Sequence, residues 1–116
     1  YHMKGTGIDL FARYVAIIDT YTAMASPRAY RLALTPLQII GHFEANMPQY
    51  DTELLLPLMQ RIADAQIGTT VQLSDDTVWD IFLIHPGRLS RPVLKNEKNE
   101  FLDLVENPRL EIVKNL

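Results

Sequence analysis

Between Ile8 and Ala25 the apolar residues recur at helical spacing in two sets. One set is Phe11, Val15, Ile18 and Thr22; the other is Leu10, Tyr14, Ile17, Tyr21 and Met24. Together they cover most of a helix circumference, which predicts a central, buried helix over residues 8–25. Pro27 closes it by disfavouring helical geometry at Ser26. Thr35-Pro36 marks the next start: Thr can cap, and Pro suits the first helical position. That helix is expected to run to about Asn46, with Leu37, Ile40 and Phe43 inward. Gly41 costs it about 1 kcal/mol relative to Ala. Asp51 caps a third helix, and Glu53 suits its positive end. Pro57 interrupts its hydrogen-bond ladder, so a kink is expected before the helix ends near Gln66 and Gly68.

At Thr69 the period changes to two. In "TTVQL" Val71 and Leu73 alternate with polar neighbours, "SDDT" is a turn, and "VWDIFLI" is a second strand. Asp76 falls where the turn calls for positive φ, which Asp tolerates. "HPGR" is another turn, "RPVLK" a third strand, "NEKNE" a charged loop and "RLEIVKN" a last short strand. The chain therefore reads as α+β. A helical part spans residues 1–67, and a small antiparallel β-rich part spans residues 68–116.

Composition narrows the classes. The 116 residues are 47% hydrophobic and 22% charged, as expected for one globular domain. A net charge of -3 advertises no nucleic-acid surface. No apolar run approaches the roughly 18 residues of a membrane span, so no membrane segment is expected. The first seven residues are polar and do not resemble a secretory leader. Cysteine is absent, so any metal must be held by His, Asp or Glu, and a cytoplasmic setting is expected.

One residue conflicts with the first helix. Asp19 is the only carboxylate between Arg13 and Arg28, and it lies too far inside the helix to cap it. A buried carboxylate needs a counter-charge, hydrogen bonds or a metal. Two readings stand: a core Asp paired with an arginine or the backbone, or a metal ligand. Arg28 and Arg31 are either solvated charges after a helix or a guanidinium pair for phosphate or guanine. Tyr30 between them either packs or stacks on a ligand. The three histidines, His2, His42 and His85, show no metal-ligand spacing. His42 is expected on a helix surface, His85 in a turn, and Trp79 in the core or an interface.

The stretch "LFARYVAIIDTYTAMASPRAYRLALTP" resembles the C-terminal half of an HD-GYP domain, the cyclic di-GMP phosphodiesterase family. Ala12-Arg13 match the family's Ala-Arg pair. Asp19, Tyr21 and Ala23 match Ala-Asp-x-Tyr-Asp-Ala, and Arg28, Tyr30 and Arg31 match Arg-Pro-Tyr-Arg. The likeness continues through "GTTVQLSDDTVWDIF", "SRPVL" and "LDLVENPRLEIV", so it covers residues 8–116. There are departures. Thr22 stands for the family's second Asp and Asp76 for its hairpin Gly. The HD dyad and the Gly-Tyr-Pro signature do not occur, although "KGTG" is similar to the start of the loop that carries it.

The resemblance implies an HD-like helical portion and a metal-dependent phosphodiesterase of bacterial second-messenger signalling. It implies iron or manganese ions, a metal-bound hydroxide attacking the phosphodiester, and a cyclic dinucleotide ligand. It implies Asp19 as a metal ligand, His2 as a relic of a His-His-Glu stretch, and Arg28, Tyr30 and Arg31 near the nucleotide. So short a ligand inventory predicts that this chain alone does not catalyse the reaction. The alternative is a degenerate module that senses the nucleotide or contacts a protein, as a homodimer or with a diguanylate-cyclase-type partner.

Overall fold

The computed structural model describes the backbone of residues 3–27 and 33–116, and the side chains of these apart from residues 3–8. Among the described residues three α-helices precede a five-stranded antiparallel sheet, so the fold is α+β. Helix α1 spans Met3–Ala25, α2 spans Pro36–Ala45 and α3 spans Thr52–Asp64, with a short 3₁₀ turn at Met47–Gln49. The strands are β1 (Thr70–Leu73), β2 (Val78–His85), β3 (Arg88–Lys95), β4 (Phe101–Asp103) and β5 (Ile112–Asn115). Their order across the sheet is β4-β3-β2-β1-β5. No helix among the described residues is long and apolar enough to cross a membrane.

The local signals act largely as their chemistry dictates. The Thr35 hydroxyl accepts from the Gln38 N–H at 3.2 Å, and the Gln38 side chain accepts from the Thr35 N–H at 2.7 Å. This reciprocal cap satisfies two donors at the start of α2. Gln38 also donates to the Ile112 carbonyl at 3.0 Å, which ties the helix to β5. The Asp51 carboxylate caps α3 by accepting from the Glu53 N–H at 3.0 Å. Helix α3 continues through Pro57 as one element and stops at Asp64. Gly68, with φ of 91°, turns the chain into the sheet.

In the β1–β2 turn Asp76 takes a φ of 68°, as expected from its position. Asp75 braces that turn by accepting from the Thr77 N–H at 3.1 Å and from the Thr77 hydroxyl. These bonds pull the Asp75 carboxyl below its ordinary pKa. Strand β3 is longer than "RPVLK" suggests, and β4 adds a short strand that the alternation does not reveal. Asn96 folds the charged loop between them, its side chain accepting from the N–H groups of Lys98 and Glu100 at 3.0 and 2.9 Å.

One continuous core joins helices to sheet. Leu37, Ile39, Ile40 and Phe43 of α2 and Leu55, Met59 and Ala63 of α3 pack over Val71, Leu73, Ile81 and Leu94. Ile39 is as buried as the three positions that periodicity selects in α2. Tyr50 and Phe43 pack as a T-shaped pair at a centroid distance of 5.1 Å. Burying such side chains supplies about 1.5–3 kcal/mol each.

Helix α1 departs from expectation. It is not central and buried: Ile17 alone among its described side chains is buried, at 1% exposure. Tyr21 and Met24 rest partly covered against the core, whereas Leu10, Phe11, Tyr14 and Ile18 are exposed. The reason is a shortage of neighbours. A helix apolar around most of its circumference needs cover on several sides, and the described elements reach only the side carrying Ile17, Tyr21 and Met24.

Candidate functional site

Asp19 lies in the second half of α1, on a helix that runs without interruption across Gly7 and Ile8. Its side chain is exposed rather than buried, so the demand for a partner disappears with the burial that caused it. No ion pair joins it to another described residue. Val15 and Thr22 are its neighbours four residues before and three after, and Ile18 adjoins it. A single carboxylate therefore stands at the margin of an exposed apolar stripe. Tyr21 faces the other way, and burial pushes its phenol above the ordinary value, so it is a neutral hydrogen-bonding group at physiological pH.

The other residues singled out from the sequence, His2, Arg28, Tyr30 and Arg31, lie outside the described residues. On either side of the arginine segment, the Leu34 N–H donates to the Met24 carbonyl at 3.0 Å. Asp19 is five residues from Met24, a rise of about 7.5 Å along the helix axis. Among the described residues no three His, Asp or Glu side chains gather where they could hold a metal ion. The described residues alone therefore do not make up the multinuclear centre that the resemblance implies.

Near its middle α1 is held by charge. Arg13 forks between Asp9, at 2.9 Å on the same helix, and Asp51, the carboxylate that caps α3. One acidic side chain thus fixes a helix start and the approach of a second helix.

Periodicity gives no warning of the buried guanidinium of Arg91. It donates from Nε and Nη2 to the Leu104 carbonyl at 3.1 and 2.8 Å, and from Nη2 to those of Asn107 and Leu110 at 2.9 and 2.8 Å. Glu111 pairs with Nη1 at 3.1 Å. The chain between β4 and β5 connects opposite edges of the sheet, and Arg91 satisfies carbonyls there that no strand ladder reaches. The available signal was the polar pair Ser90-Arg91 where strict alternation would place one apolar side chain.

His85 is also more than a turn residue. Its Nε2 meets the Asp103 carboxylate at 2.9 Å, joining the end of β2 to β4. Desolvation pushes the Asp103 carboxyl up. The bonds from His85 and from the Val105 N–H, with the His85 charge, outweigh it and leave the carboxyl below its ordinary value. Trp79 is half-buried against the core and donates to the Thr77 hydroxyl at 2.8 Å.

No protein-family model, no curated protein and no solved structure matches this chain.

Proposed function

We propose that the chain is the C-terminal part of an HD-GYP-type cyclic di-GMP phosphodiesterase unit in bacterial second-messenger signalling, and that it does not hydrolyse the nucleotide alone. The motif likeness over residues 8–116 supports the family. One structural observation supports incompleteness: α1 exposes Phe11, Tyr14 and Ile18, at 69%, 41% and 42%, beside the carboxylate of Asp19. A further protein segment laid on that stripe would cover the apolar side chains and bring other ligands to Asp19. On this reading His2 and Asp19 are contributions to an iron or manganese site shared with that segment. Arg28, Arg31 and Tyr30 serve the nucleotide, the arginines through paired donors to phosphate oxygens.

The second reading is a degenerate module that senses the nucleotide or works by protein contact. Its support is Thr22, which is exposed on α1 where the family carries its second Asp.

Calorimetric titration with cyclic di-GMP, with and without manganese, tests both. The expected result is binding without turnover, weakened in Arg28→Ala or Arg31→Ala by about 1.5–3 kcal/mol, the worth of a charged hydrogen bond. Turnover by the purified chain alone overturns the non-catalytic reading. Unchanged affinity in both variants removes the arginines from the nucleotide.

A further inference from the structure

Away from α1, a cleft of about 470 Å³ opens between the last turns of α2, the middle of α3 and the β2–β3 turn. That volume falls within the range of small-molecule sites, about 300–1,000 Å³. Met47, Leu56, Met59 and Leu89 line its apolar side. Met59 is almost wholly buried beneath it, and methionine adapts to irregular apolar shapes. Three polar side chains converge there: Glu44, Arg88 and Ser90.

Their bonding is incomplete in a specific way. The Ser90 hydroxyl donates to Oε1 of Glu44, and Nε of Arg88 lies 3.7 Å from the same oxygen. That separation is too long for a hydrogen bond, so the two charges neighbour each other without being joined. Oε2 of Glu44 accepts no hydrogen bond from the described residues, nor does the Arg88 guanidinium donate one to them. The Glu44 side chain is only 17% exposed, whereas that of Arg88 is 58% exposed at the rim. Glu44 also occupies the last turn of α2, where the helix dipole disfavours a carboxylate and favours a cation.

We propose that this cleft binds a small zwitterion of the α-amino acid type with an apolar side chain. The ligand ammonium meets Oε2 of Glu44, its carboxylate takes the open donors of Arg88, and its side chain lies against Met47, Leu56 and Met59. A ligand with one charge leaves the opposite member of the Glu44–Arg88 pair unmatched and partly desolvated, which penalises binding. A zwitterion matches both and replaces a loose ion pair with two direct charged hydrogen bonds. The proposal does not depend on the family reading.

Titration of the isotope-labelled chain with L-leucine, followed through its amide resonances, is the test. The expected result is saturable shifts at Gly41, Gly87 and Ser90 with a Kd below about 10 mM. Isoamylamine and isocaproate, each lacking one charge of leucine, bind more weakly. Glu44→Gln and Arg88→Met each weaken leucine binding by about tenfold or more. Absence of saturable shifts with leucine overturns the proposal. So does isoamylamine binding as well as leucine, or unchanged leucine affinity in Arg88→Met. Arg88 is exposed, so that variant decides the matter even where circular dichroism shows Glu44→Gln to be misfolded.

Discussion

Helix α1 leaves phenylalanine, tyrosine and isoleucine side chains exposed, while the sheet buries an arginine. The two regions reverse the rule that apolar residues go inside and charges outside, and for one reason. Burial follows from what surrounds a position. Phe11 is apolar but nothing described reaches it, whereas Arg91 is charged but its three guanidinium nitrogens find carbonyls and a carboxylate around them.

The comparison breaks most directly at two phenylalanines. Phe43→Ala empties a fully buried site and is expected to lower unfolding stability by about 3–5 kcal/mol. Phe11→Ala is expected to change it by no more than about 0.5 kcal/mol, because the side chain is already in water. Urea unfolding measures both, and similar losses would mean that α1 is covered in solution. Next comes Arg91→Ala, with a loss of about 3 kcal/mol, since it strands the Leu110 carbonyl and leaves those of Leu104 and Asn107 with a backbone donor alone. A loss under about 1 kcal/mol would show that water replaces the guanidinium at no great cost. Thr35→Ala removes one half of the reciprocal cap on α2 and should cost about 1 kcal/mol in the same assay.

A smaller loss than at Thr35 is expected at the partly exposed His85–Asp103 contact, less than about 1 kcal/mol. Asp103 titrates below its unfolded value of about 3.9, so its carboxylate adds stability above that value. The contribution fades as pH falls through the lower folded value. Asp103→Asn should therefore be less stable than the parent near neutral pH, and the gap should close as acid is added. A gap that widens in acid would reverse the sign and remove the assignment.

The sequence was readable wherever the cause was local. Thr35-Pro36, Asp51 and Asp76 act through bonds or dihedrals within a few residues, and each acts as its type predicts. Gln38 was missed as the return half of the cap, although it sits at the spacing that such a cap requires. Strand β4 was missed because three residues are too few to display alternation. The exposure of Asp19 was misread for a deeper reason: periodicity shows which faces of a helix are apolar and says nothing of which face has a neighbour. The partners of Glu44, Arg88 and Arg91 lie from 13 to 46 residues away, beyond the reach of any spacing rule.

The sheet order also sets a sequence of events. Strands β1 to β4 form a meander in which each new strand pairs with the one just made, so those contacts close short loops. β5 pairs instead with β1 at the far edge, joining Val71 to Asn115. Closing so long a loop is entropically slower than zipping a hairpin. β5 is thus expected to dock last during refolding, after the meander has positioned Arg91 to receive the crossover. Until then the free edge of β1 is an unpaired template, open to a strand from another molecule. Crowded refolding therefore offers an opening to self-association that the native sheet, with β1 paired to β5, closes.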